Sequence, residues 1–133
     1  MALSVLHSQL VETQVEGHTP SIGAYPIAAQ MRAPFRGRIV KVGCVTGGII
    51  TTSSAVMTLA VNGTNVTGGT FSVTLAGAAA GQHFSLSPVD SPASAATAAL
   101  GAVQEDDVIT LTPSNASGAN ISATCYAVIK KMG

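Results

Sequence analysis

A chain of 133 residues is one domain's worth of polypeptide, and its six Lys and Arg balance its six Asp and Glu. At 9% charged residues it lies far below the roughly 25% usual for soluble domains, and six cations in a neutral chain exclude the counterion-releasing grip on a nucleic-acid backbone. No stretch approaches the about eighteen apolar residues of a membrane-spanning helix, so no membrane partner is expected.

The chain opens on MALSVLHSQL, which has no basic residue before Arg32 and does not read as a signal peptide. Synthesis in the cytoplasm is expected. Residues 1–33 show no clean period. Leu3, Leu6 and Leu10 could line a helix face, whereas Val11, Thr13 and Val15 could alternate as a strand. Gly17, Pro20, Gly23 and Pro26 argue for an extended arm over 1–33 that precedes a domain over 34–133. Ordering such an arm costs about 1–2 kcal/mol per residue in backbone entropy. It is therefore either mobile or, as its Leu and Val content favours, laid across a large surface, a neighbouring subunit or a shell, with Leu6, Leu10, Val11 and Tyr25 among its contacts.

From residue 37 onward strand signals dominate. Alternation through Arg38 to Val45 places Val40, Val42 and Cys44 on one face. In Ala55 to Val61 it selects Met57, Leu59 and Val61, and in Thr70 to Leu75 it selects Phe71, Val73 and Leu75. Between these runs, Asn62-Gly63 predicts a type I′ hairpin, and Gly68-Gly69 a further bend or bulge. Residues 77–101 mix small residues with Pro88 and Pro92, which suggests short strands or loops, with a helical turn conceivable over Ala93 to Leu100. After the acidic run Glu105-Asp106-Asp107, Ile109 and Leu111 point inward in a strand that Pro113-Ser114-Asn115 stops. The closing run sets Ile121, Ala123, Cys125, Ala127 and Ile129 on one face and Tyr126 and Val128 on the other, as in a strand that is central or lies at a subunit boundary. The whole predicts an all-β, two-sheet antiparallel sandwich, jelly-roll-like in preference to immunoglobulin-like, in which a pairing of first and last strong strands would bring Cys44 near Cys125 as buried free thiols or, less favoured in a reducing cytosol, a disulfide.

A search for chemistry finds little. His7, His18 and His83 share no ligand spacing, so no metal is expected, and Glu105-Asp106-Asp107 lacks the alternating oxygens of a calcium loop. There is no nucleophile elbow, phosphate-binding loop or dinucleotide Gly pattern. No enzyme activity, cofactor or small-molecule substrate is expected. What remains is surface. Arg32, Arg36, Arg38 and Lys41 cluster around Ala33-Pro34-Phe35, and Lys130 and Lys131 would join them if the end strands are neighbours. They form either a solvated edge that blunts aggregation or a docking patch for acidic protein. Phe35 is a core plug or an interface anchor. Polarity otherwise comes from fourteen Thr and thirteen Ser, which are cheaper to bury than ions.

The stretch MRAPFRGRIVKVGCVTGG, followed by MTLAVNGTNVTGGTFSVTLAG, VQEDDVITLTPSN and ATCYAVIK, resembles the small decoration (cement) proteins of tailed-bacteriophage heads over roughly residues 31–130. The resemblance implies a jelly-roll-like homotrimer on the outside of the virion capsid, bridging capsomers through contacts with the major capsid protein. The chain departs from that pattern at Glu105-Asp106-Asp107, where a Gly-Asp turn is common, and in its longer 77–101 segment. A rival reading is a fibre or adhesin-like β module binding a host-surface glycan. Sugar faces stack on aromatic rings, and only Tyr25, Phe35, Phe71, Phe84 and Tyr126 are present.

Overall fold

The computed structural model describes residues 12–23, 26–48, 54–73, 81–86, 101–114 and 121–131. Its strands are β1 (Glu12–Thr19), β2 (Ala29–Arg32), β3 (Gly37–Thr46), β4 (Ala55–Val61), β5 (Thr64–Val73), β6 (His83–Leu86), β7 (Ala102–Val103), β8 (Val108–Ser114) and β9 (Ala123–Lys131). They form two antiparallel sheets, β1-β9-β3-β6 and β2-β8-β4-β5, with β7 pairing on β3 beyond the end of β6. The first strand pairs the last, the second pairs the penultimate, and successive strands cross between the sheets except at the β4–β5 hairpin and from β6 to β7. That order is a jelly roll, as the alternation pattern predicts.

Alternation fixes which side chains face the core. Ile121, Ala123, Cys125, Ala127 and Ile129 are all buried, and so are Met57, Leu59, Phe71, Val73, Ile109 and Leu111. Together with Ile22, Ala29, Met31, Ile39, Val42, Cys44 and Val103 they make one continuous core between the sheets. Fully burying an aliphatic side chain of this kind stabilises by about 1.5–3 kcal/mol. Leu75 lies outside the described residues, and Val61 is half-buried against the same core.

One face assignment is corrected in β3. Val40 is not a core residue, because the register against β9 runs from Ile39↔Ile129 to Lys41↔Val128, so Val40 is the extra residue of a β-bulge. Before the bulge Gly37 and Ile39 point inward, and after it Val42, Cys44 and Thr46 do. The turn chemistry follows expectation. Asn62 and Gly63 have φ of 50° and 84°, the two positive values a type I′ turn needs. Gly68, at φ 74°, sits in a bulge where β5 residues between Asn65 and Thr70 oppose Leu59 of β4. β8 continues through Pro113 to Ser114, which is tolerated because β2 pairs it only as far as Leu111 and leaves an edge there.

The second correction concerns the leading segment. Residues 12–33 are not an arm outside the sandwich: β1 pairs β9 along its whole length, and β2 pairs β8. Ile22, Ala29, Met31 and Ala33 belong to the core. The ordering entropy of this stretch is thus offset within its own chain. Gly17, which reads as a breaker in sequence, is a packing residue in β1: a Cβ there would lie 2.6 Å from the Gln30 carbonyl oxygen, where β1 of one sheet meets β2 of the other. Leu6, Leu10, Val11 and Tyr25, and the proposed turn over Ala93 to Leu100, lie outside the described residues.

A Gly17→Ala substitution must push two backbones apart, and the expected loss is about 1–3 kcal/mol of stability. Urea unfolding of the two proteins checks this; an unchanged midpoint would show that the sheet corner is not close-packed.

Candidate functional site

The strand register sorts the charged residues to one end of the sandwich. Arg38 is directly opposite Lys130, which has Glu12 on its other side, and Gly37 is opposite Lys131. The end of β2 adds Arg32, the turn to β3 adds Arg36, and the turn before β8 adds Glu105, Asp106 and Asp107. Nine of the eleven Asp, Glu, Lys and Arg among the described residues therefore share this end. Glu16 and Lys41 stand midway along the outer face of the β1-β9-β3-β6 sheet.

The charged end is mixed in sign and internally braced. Arg32, on the outer face of the other sheet, pairs with Asp106 at 3.3 Å, both side chains being highly exposed, so this bridge contributes little to stability. Asp107 has a structural role. Its carboxylate accepts the Gln104 backbone N–H at 2.8 Å and the Asn62 side-chain N–H at 3.0 Å, while Asn62 Oδ1 accepts the Val108 N–H at 2.9 Å. The acidic run is thus a turn that clamps the β4–β5 hairpin onto β8. Those two N–H donors, the backbone one foremost, hold the Asp107 carboxyl below the usual aspartate value. Phe35 is half-buried against the core, so its packing role is realised. Arg32, Arg36 and Arg38 are exposed, as are Lys130 and Lys131, but with Arg32 on the opposite sheet and acids between them the six cations do not form one basic face.

The opposite end carries no Asp, Glu, Lys or Arg among the described residues. There β1 and β3 end at Thr19 and Thr46, β9 and β4 begin at Ala123 and Ala55, and β8 ends at Ser114. The connection from β1 to β2 is held by the fully buried Thr19, whose hydroxyl donates to the Ile27 carbonyl at 2.5 Å and accepts the Ser21 N–H at 3.2 Å. Backbone bonds from Ile27 to Ser21 and from Ile22 to Ile121 complete the tie. This fixes Ile27 at the surface, 49% exposed, and Val45 near the same end is 38% exposed. Sequence reasoning missed this surface. The available signal was that Asp90 is the one charged residue between Lys41 and Glu105, and that none lies between Asp107 and Lys130.

The two outer sheet faces also differ. On the β2-β8-β4-β5 face, Thr112, Thr58 and Thr70 stand side by side across three strands, flanked by Ser114, Val56 and Ser72. The β1-β9-β3-β6 face has Tyr126 at its centre. Tyr126 lies across Gly43, where a Cβ would be 2.6 Å from its hydroxyl, and that hydroxyl is hydrogen-bonded to His83 of β6, the two rings being stacked at 5.6 Å. Burial pushes the tyrosine hydroxyl up from its ordinary value, against an opposing hydrogen bond with Ser85. Tyr126 thus clips the short β6 over β3 onto β9. Among the described residues no group of three or more His, Cys, Asp and Glu is placed to hold a metal.

No family model matches the chain, and no curated protein does. Among solved structures it is similar to a chain of the acid-stable capsid of Helicobacter pylori bacteriophage KHP30, with a TM-score of 0.51, 12% identity, and coverage of 90% of this chain and 86% of that one. A crystal structure of FLHE overlaps 90% of this chain and 98% of its own at 12% identity, with a TM-score of 0.44. At these identities the first likeness establishes the shared fold, and the second carries no argument.

The Asp107 clamp has a pH signature. A carboxyl held below its unfolded value contributes stability that is complete above that value and is lost as pH falls through the folded one. Asp107→Asn is therefore expected to lower the urea midpoint at pH 7, with the gap from the parent closing below about pH 4. A gap that stays constant to pH 2 would show that the charge has no part in the clamp.

Proposed function

We propose that this protein is a non-enzymatic structural component of a bacteriophage virion that decorates the outer surface of the capsid and bridges capsomers as a homotrimer. The observation that carries the reading is the segregation of charge. Among the described residues one end of the sandwich carries no Asp, Glu, Lys or Arg, and such a surface costs least to bury against another protein. The fold shared with a phage capsid chain supports the same setting.

In this account the uncharged end, with Ile27 at its surface, seats on the major capsid protein. Val45, Tyr126 and Val128 on the β1-β9-β3-β6 face are half-buried or exposed and pack copies against one another. Arg38 and Lys130 at the margin of that face, with Arg32, Arg36 and Lys131 close by, meet acidic groups of neighbouring subunits. Residues 1–11 lead into Glu12 at this margin, and Leu6, Leu10 and Val11 extend the contact; Tyr25, in the connection that carries Ile27, adds to the seat on the shell. No nucleic acid, membrane, cofactor or small molecule takes part.

Three variants separate these contacts. Ile27→Lys replaces an exposed side chain, so it is expected to leave the homotrimer intact and to weaken binding to capsids by at least about tenfold, the cost of burying one unpaired charge. Val128→Glu is expected to reduce the native mass to that of a monomer. Removing residues 1–11 spares every described strand and is expected to leave a folded protein that is retained less well on shells. Native mass with and without purified capsids reads all three. A parent protein that is monomeric and ignores shells contradicts the proposal, and clear hits on a glycan array would instead favour the adhesin reading.

A further inference from the structure

Cys44 and Cys125 stand 81 positions apart in sequence and directly opposite each other on β3 and β9. Both are free and wholly buried. The hydrogen-bond pattern tells which kind of pair they form. The Gly47 N–H bonds to Ser122 of the β9 side, and the Thr46 N–H bonds to Gln82 of the β6 side. Backbone polar groups alternate sides along a strand, so the Cys44 N–H and C=O point to β6, and Cys44↔Cys125 is a non-hydrogen-bonded pair. At such positions the α-carbons approach to about 4.5 Å and side chains are closest. That separation lies inside the roughly 4.4–6.8 Å range that a disulfide spans.

The two thiols neighbour each other across the ladder. That contact and burial push the Cys125 thiol far above its ordinary range, so in the closed sandwich it is an inert thiol. Phe84 and Gly17 occupy the neighbouring positions in the same row, on β6 and β1, and leave no charged or basic group beside the pair. Apart from the partner thiol nothing there activates a nucleophile, and both cysteines are fully buried. Chemistry at this pair must happen before β3 and β9 close.

We propose that Cys44 and Cys125 are a latent cross-strand disulfide, closed by exchange with a small-molecule disulfide while the chain is open and sealed once the sandwich forms. One cysteine, as thiolate, attacks the oxidant's S–S bond and releases one thiol; the second cysteine then attacks the mixed disulfide and releases the other. The Cys44–Cys125 bond forms, the oxidant's S–S bond is reduced, and the two cysteine protons end on the two released thiols. In a reducing compartment the same pair stays as the dithiol of the structure. The bond would close a loop joining the second-to-last core position of β3 to the second core position of β9, and so pin the pair of strands on which both sheets' order depends. This inference is independent of the virion reading.

The test is refolding of the full chain from urea, once in oxidised and reduced glutathione and once in excess reductant, with each product then denatured and alkylated for intact mass. The oxidised product is expected to be a monomeric chain two hydrogens lighter, unalkylated, and cleaved by reductant at least about a hundredfold more slowly when folded than in urea. Its thermal midpoint is expected on the order of ten degrees above that of the dithiol form. The Cys44→Ala/Cys125→Ala double variant should melt alike in both conditions. Glutathione adducts, disulfide-linked dimers, an alkylatable pair after oxidative refolding, or a midpoint that does not rise on oxidation would each overturn the proposal.

Discussion

Everything in this sandwich hangs on the ladder between β3 and β9. Its strands come from distant parts of the chain, and its register sets Ile39 against Ile129, Val42 against Ala127 and Cys44 against Cys125 on the inner face. A slip of one residue would turn that whole row out to solvent, so burial specifies the register strongly. The single bulge at Val40 is what lets the two ends of β3 both keep apolar residues inward. With the ladder fixed, β1 adds on one side and β6 and β7 on the other, and the second sheet closes over the row.

The same register has a consequence at the surface. It carries Lys130 and Lys131 back beside Arg38, and the turns on the other sheet bring Arg32 and the acidic run to the same end. A neutral, weakly charged chain thereby becomes a body with one polar end and one end of Thr, Ser, Ala and Ile. At that end Thr19 satisfies its buried hydroxyl inside the connection it organises. The described residues of that end bring no Asp, Glu, Lys or Arg side chain to be stripped of water on docking.

Much of the fold was legible in the sequence, and the failures have physical causes. The inward faces of β8 and β9 read directly from alternation, because each strand is regular and buried on one side. The hairpin at Asn62-Gly63 read from the two positive φ angles its residues tolerate. Val40 was misassigned because a bulge breaks the period without changing composition. β1 and β2 read as an arm in sequence because Gly17 signals a breaker locally, whereas its role is to let two sheets touch, a contact that exists only in three dimensions. The charged and uncharged ends were hidden for a similar reason: they depend on which strand ends meet. Tyr126 over Gly43 likewise needs the register, since 83 positions separate the two residues in sequence.

The central claim is that the uncharged end is the one buried on a phage shell. Hydroxyl-radical footprinting of the protein, free and bound to shells purified from the source of the sequence, tests it most directly. The account predicts strong protection of Ile27 on binding, with the turn over residues 104–107 remaining as reactive as in the free protein. Protection confined to that acidic turn, with Ile27 unchanged, would contradict it.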